Sequence, residues 1–140
     1  MSQNPFIDSS AKHTQRYIKS NGAEGHEWNG FYCLLLSTRG RKTGKTLTIP
    51  LIYGKDENSF VVVASKGGHT DHPYWYKNLV NEPKVEIQVG PTKHDAVART
   101  SKGKERQRLW TLMTDIFPRY EEYRQMTSRE IPVVVIQPSS

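Results

Sequence analysis

From residue 31 onward the chain alternates short apolar runs with polar, glycine-bearing gaps, a rhythm that predicts strands. Phe31–Ser37 and Leu47–Tyr53 read as two strands joined by the loop Thr38–Lys45. Ser59–Ser65 follows the turn Lys55-Asp56-Glu57-Asn58, and its Val61-Val62-Val63 centre predicts a strand buried on both faces. Val85–Val89 alternates Val-Glu-Ile-Gln-Val, the pattern of a strand with one wet face. Gly90-Pro91-Thr92 turns the chain into a strand at His94–Thr100, and Ile131–Gln137 supplies one more.

The period lengthens between these runs. Pro73, preceded by Asp71 as a cap, opens a short helix through Leu79 that stops before Pro83. Lys104 to Phe117 sets Leu109, Leu112, Met113 and Ile116 at helical spacing, with Trp110 beside them and Pro118 as the stop. A last short helix carries Tyr120 and Tyr123. Residues 1–30 are polar and glycine-punctuated. Within them Ser10–Lys19 predicts a short helix with Tyr17 and Ile18 as its apolar residues, ending near Asn21-Gly22. This N-terminal segment is set apart from a domain over residues 31–140. Six strands with helices inserted late predict an α+β fold built on an antiparallel barrel or sheet.

Composition narrows the chemistry. A chain of 140 residues with 35% hydrophobic content suits one ordinary globular domain. Its 20 basic and 14 acidic residues leave a net charge of +6, which calls for a negatively charged partner: nucleic acid, an anionic membrane surface, or a small molecule bearing phosphates or carboxylates. One cysteine, Cys33, excludes an intramolecular disulfide framework, and its place in Phe31–Leu36 reads as a small buried hydrophobe rather than a nucleophile. No apolar run approaches a membrane span, and Met1–Ser10 has no leader-type apolar segment, so a cytoplasmic protein is expected, at most peripheral to a membrane.

Three segments carry candidate chemistry. Arg39 to Lys45 holds four cations in seven positions, and no acid lies between Glu27 and Asp56. The loop is not a phosphate-binding P-loop, because Gly40 and Gly44 enclose three residues rather than four and an extended run follows instead of a helix. A solvated turn and an anion nest both fit it. Ala64-Ser65-Lys66-Gly67-Gly68 ends a strand with small residues that let a flat ligand approach the backbone; a plain strand-ending turn fits as well. In Pro73-Tyr74-Trp75-Tyr76-Lys77-Asn78-Leu79, three adjacent aromatics cannot all point inward, so at least one faces solvent or a ligand. His69-Thr70-Asp71-His72 lacks helical ligand spacing and a third ligand, so no metal site is expected. With no hydrolase machinery in the chain, the chemistry points to a cofactor.

The stretches Leu34–Gly44 (LLLSTRGRKTG), Pro50–Leu51, Val61–Gly68 (VVVASKGG), His72–Leu79 (HPYWYKNL), Asn81–Val89 (NEPKVEIQV) and Arg129–Val135 (REIPVVV), in this order, resemble the deazaflavin-dependent nitroreductase family of split-barrel reductases that use coenzyme F420. The resemblance runs from Phe31 to Pro138. It implies a split antiparallel β-barrel with a few peripheral helices. It also implies a flat, anionic deazaflavin whose phosphate is held by Arg41, Lys42 and Thr43. Val63, Ala64, Ser65 and Lys66 would line the ring, and Tyr74, Trp75, Tyr76, Lys77 and Asn78 would close over it, with Tyr120 reaching in from the late helix. Where the family often carries arginine, this chain has Leu47.

By the same resemblance, reduced F420 would deliver a hydride to an apolar electrophile such as a quinone or nitroaromatic. Ser65 would polarise cofactor or acceptor, and Tyr120 and Tyr123 would wall the acceptor pocket. Monomer and homodimer both remain open. Two rivals stay beside this reading: a nucleic-acid or anionic-surface binder, suggested by the basic stretch Arg99 to Arg108, and a split-barrel protein using FMN or haem. No standard nucleic-acid recognition motif occurs, so that partner is not expected.

Overall fold

The computed structural model describes the backbone of residues 5–139 and the side chains of residues 11–139. Met1–Ser10, read above as free of a leader segment, lies largely outside that set. Chain order is helix α1 (Pro5–Lys19), strands β1 (Glu27–Trp28), β2 (Phe31–Arg39), β3 (Thr46–Ile52), β4 (Gly54–Asp56) and β5 (Ser59–Val63), and a 3-10 turn (Lys66–Gly68). Helix α2 (Tyr74–Asn81), strands β6 (Lys84–Val89) and β7 (Thr92–Thr100), helices α3 (Gly103–Ile116) and α4 (Arg119–Gln125), and strand β8 (Val133–Pro138) follow.

All strand pairings are antiparallel, in the spatial order β1-β2-β6-β7-β8-β5-β4, with β3 on the other edge of β2. Because β4 continues from β3 after the single residue Tyr53, the two outer strands of this curled sheet are tied by the chain itself, giving a split barrel. Pro50 pairs with Leu35 from β3, an edge strand that can forgo its missing N–H.

Side-chain alternation along β5 and β8 builds two cores. Phe60, Val62, Val134 and Ile136 face the barrel interior with Leu34, Leu36, Ile87 and Ala98, and α2 stoppers it with Trp75 and Leu79. Val61, Val63, Val133 and Val135 face outward under Leu109 and Met113 of α3 and Tyr120 of α4. The Val61–Val63 run is buried on both faces, as its composition predicts.

Local differences from expectation have physical causes. Gln88, on the supposedly wet face of β6, is only 7% exposed. Helix α1 covers it: Tyr17 is fully buried, its hydroxyl lies 3.0 Å from Cys33 O and 3.1 Å from Gln88 O, and it accepts the Gly90 N–H at 2.7 Å. Gly22, at φ +85°, lets the chain turn away; a Cβ there would stand 2.0 Å from Gly90 O. Asp71 does not cap α2. It meets Lys77 at 3.5 Å instead, and no side chain caps the helix. The hairpin loop is shorter than predicted, because Arg39 pairs with Thr46.

Candidate functional site

The loop between β2 and β3 is a closed six-residue turn. Gly40 N–H donates to Lys45 O and Gly44 N–H to Gly40 O, both at 2.8 Å, which closes the loop on its own backbone. Arg41, Lys42, Thr43 and Lys45 are all exposed, and the Thr43 hydroxyl accepts the Lys45 N–H at 3.2 Å. Three cations therefore stand on one rigid turn.

Helix α2 is tied to that turn by Asn78. Buried at 4% exposure, Asn78 accepts the Arg41 N–H through Oδ1 and donates through Nδ2 to the buried Thr38 hydroxyl, both at 3.2 Å. The helix divides its aromatics as the sequence requires: Trp75 is buried, Tyr76 is half-buried with its hydroxyl 2.8 Å from Thr100 Oγ1, and Tyr74 is 66% exposed. Lys66 and Lys77 each bring an ammonium to 5.7 Å from the Tyr74 ring centre. Basic turn, helix and strand-end loop thus share one side of the barrel mouth.

The strand-end loop has unusual backbone. Ser65 is right-handed helical (φ −78°, ψ −36°), while Lys66 and Gly67 are left-handed at φ +46° and +61°. A left-handed lysine costs about 1–2 kcal/mol relative to its ordinary conformation. Such a right-then-left succession turns consecutive N–H groups toward one concavity, where an anionic or carbonyl oxygen fits. Ala64 is buried in the barrel interior and Ser65 is 8% exposed, whereas the Val63 side chain points into the outer core.

Helix α4 closes the far side of this loop. A Cβ on Gly68, at φ +79°, would lie 3.0 Å from both Met126 Cβ and Tyr123 O, so only glycine allows the approach. Tyr120 and Tyr123 do fall together, with ring centres 6.4 Å apart and Phe117 against both. Tyr120 is 5% exposed and burial raises its pKa, so its phenol stays protonated; Tyr123 is half-buried beneath Arg119. Cys33 is 2% exposed and its thiol is pushed up to about 12 by burial, which leaves no thiolate for chemistry.

Two residues absent from the sequence-based site belong to it. Arg129 donates to the carbonyls of Ala64, Ser65 and His69, and to His72 Nδ1 at 3.0 Å. Nothing in the run Arg129–Val135 signals that this cation folds back sixty residues onto another loop. His72 had only the failed metal spacing to commend it.

The family described as F420H(2)-dependent quinone reductase matches residues 9–138. An F420H(2)-dependent quinone reductase of Mycobacterium tuberculosis (strain ATCC 25618 / H37Rv) is 40% identical over 128 residues, spanning 89% of this chain and 86% of its own. A solved F420-H2 dependent reductase, FDR-A, is 38% identical with a TM-score of 0.70, over 75% of this chain and 93% of that one. A solved domain-swapped dimer is 32% identical with a TM-score of 0.72, over 94% and 98% of the two chains. The heme storage protein HutZ of Vibrio cholerae, 14% identical, spans 100% of this chain and 92% of its own at a TM-score of 0.61, and shares the fold alone. The match from residue 9 brings α1 into the family pattern, beyond the stretch from Phe31 that carried the resemblance. With nearly its whole length matched, the chain belongs to the F420H(2)-dependent quinone reductase family.

Proposed function

We propose that this protein is an F420-dependent reductase whose acceptor is a quinone, with nitroaromatics as further flat electrophiles it would accept. The observation that carries the reading is the Asn78 tie, because it fastens the cationic turn to the helix bearing Tyr74 and Lys77. Those residues fit an anionic, flat cofactor. Arg41, Lys42 and Thr43 would take the phosphate, with charge-assisted hydrogen bonds to the anion. The concave backbone at Ser65–Lys66 would receive a ring oxygen, and Tyr74 would cover the ring with its flanking ammonium groups.

When bound and reduced, the deazaflavin supplies a hydride, and a quinone taking it up with a proton becomes a hydroquinone. The chain's part is to orient and to exclude water. Tyr123 and Met126 sit directly on Gly68, so an acceptor lodged against α4 lies beside the cofactor loop. Tyr120, protonated and buried, acts as a wall, and the Ser65 hydroxyl is the side chain offered for polarisation.

The basic stretch gives the polyanion reading little support. Arg99 is bonded to Glu105 at 2.7 Å and Arg108 to Asp56 at 2.8 Å, while Arg106 donates to Ile131 O at 2.7 Å. Among the described residues no helix is long and apolar enough to cross a membrane. A homodimer is our proposal for the assembly, on the strength of the dimeric neighbour, and residues 31–140 are proposed as the cofactor-binding unit. The reading is tested by titrating the protein with F420, FMN and a DNA duplex, then following F420H2 oxidation by a soluble quinone. Tight binding of F420 alone, with quinone-dependent oxidation that Tyr123→Ala lowers at unchanged cofactor affinity, is expected. Preferential binding of FMN or DNA would overturn it.

A further inference from the structure

Arg129 stands just before β8, yet every polar hydrogen of its guanidinium is spent on the loop after β5. Nε donates to His69 O at 2.8 Å, Nη1 to Ala64 O at 3.3 Å and His72 Nδ1 at 3.0 Å, and Nη2 to Ala64 O at 3.3 Å and Ser65 O at 2.8 Å. Arginine has five such donors in a planar fork, and lysine has no equivalent. The fork gathers the carbonyl oxygens of Ala64, Ser65 and His69 onto one guanidinium, and so holds the loop whose right-then-left backbone succession at Ser65 and Lys66 forms the concavity. A guanidinium cannot accept, so His72 Nδ1 must, which fixes His72 as the neutral tautomer with its proton on Nε2.

We propose that Arg129 is a positioning residue that holds the loop at Ser65–His69 in its cofactor-receiving shape, and that His72 is its latch, releasing the loop when it takes up a proton. The cofactor part of this inference rests on the F420 reading above. Protonation removes the Nδ1 acceptor and sets two cations 3.0 Å apart. The groups facing His72 are Arg129 from the segment before β8, Lys77 and the Tyr76 ring (4.9 Å) from α2, and Asp71 from its own loop. Only Asp71 favours the protonated form, and it is engaged by Lys77 at 3.5 Å. Burial, then the charges of Arg129 and Lys77, hold the His72 pKa below its ordinary 6.5. The contact is therefore intact above that value and is lost as the pH falls through the lowered pKa.

The test is calorimetric titration with F420 from about pH 5 to about pH 7.5, comparing the parent with His72→Gln and Arg129→Lys. Glutamine offers Arg129 an oxygen acceptor that does not titrate, and any titration of F420 itself cancels in the ratio of dissociation constants. That ratio, parent over His72→Gln, should be near one at the upper pH and rise to about fivefold at the lower, the worth of one lost hydrogen bond. Arg129→Lys should bind weakly throughout. In parallel, amide hydrogen exchange across residues 65–69 of the free protein, corrected for intrinsic pH dependence, should speed up at low pH in the parent but not in His72→Gln. A ratio constant with pH, or identical exchange in the two proteins, would overturn the latch. If the parent binds no F420 at any pH, the functional reading fails, and the exchange measurement alone decides whether the latch exists.

Discussion

Replacing Asn78 by alanine separates the cationic turn from helix α2, and the structure sets the size of the effect. Two neutral hydrogen bonds of 3.2 Å disappear, each contributing about 0.5–1.5 kcal/mol. The Thr38 hydroxyl, 2% exposed, loses its partner, and a buried polar group without one costs about 1–3 kcal/mol. The Arg41 N–H lies on an exposed turn and regains water, so its share is small. The total is about 2–4 kcal/mol, a fall in melting temperature of about 6–15 °C for a chain of this size. The functional share is separate. A turn freed from α2 must be re-ordered by the cofactor, which should weaken F420 binding about fivefold, the equivalent of about 1 kcal/mol. Thermal unfolding and calorimetric titration measure the two parts, and Thr38→Val serves as the control. It removes only the inner bond, so it should lower stability while leaving affinity close to the parent's. Were Asn78→Ala to lose stability yet bind F420 as tightly as Thr38→Val, the tie would be a core contact only, and the argument linking turn to helix would fail.

Lys42→Ala should weaken F420 binding about ten- to a hundredfold, the value of one charge-assisted contact, while alanine at both Lys102 and Lys104 changes it little; equal losses in one calorimetric series would point to diffuse polyanion binding. Leu47 pairs with Thr38 at the edge of the sheet and is 36% exposed, so Leu47→Arg should keep the melting temperature and tighten F420 binding, more so at low salt; a destabilised protein with unchanged affinity would refute this. Tyr17→Phe strands the Gly90 N–H and should cost about 1–3 kcal/mol in urea unfolding, with F420 affinity unaffected, since the Tyr17 hydroxyl bonds Cys33, Gln88 and Gly90, none of which is proposed to hold the cofactor; a drop in affinity would show that α1 shapes the site.

Much of the fold is written locally. The apolar runs at Phe31–Ser37, Ser59–Ser65 and Ile131–Gln137 became strands because alternating or two-sided burial is a nearest-neighbour property of extended backbone, readable without any partner. Pro118 ends α3 one residue after Phe117 closes it onto Met113 O, for the equally local reason that proline cannot donate. The clustering of four cations between Arg39 and Lys45 is likewise a fact of the chain alone, and so is the requirement that at least one of Tyr74, Trp75 and Tyr76 face outward, although only the fold chose Tyr74. What tertiary structure decided are the contacts whose two halves lie far apart in sequence. Gln88 reads as wet until α1 lays Tyr17 over it. Asn78 is marked in the sequence only through the resemblance, as a residue closing over the ring, and its tie to the turn from β2 to β3 comes into being only when the fold brings Arg41 and Thr38 to it. Arg129 reads as an ordinary cation before a strand until the barrel brings β5 and β8 side by side, pairing Val63 with Val133. Only then do the end of β5 and the start of β8 meet, and the energy that folds the guanidinium onto Ala64, Ser65, His69 and His72 depends on that meeting.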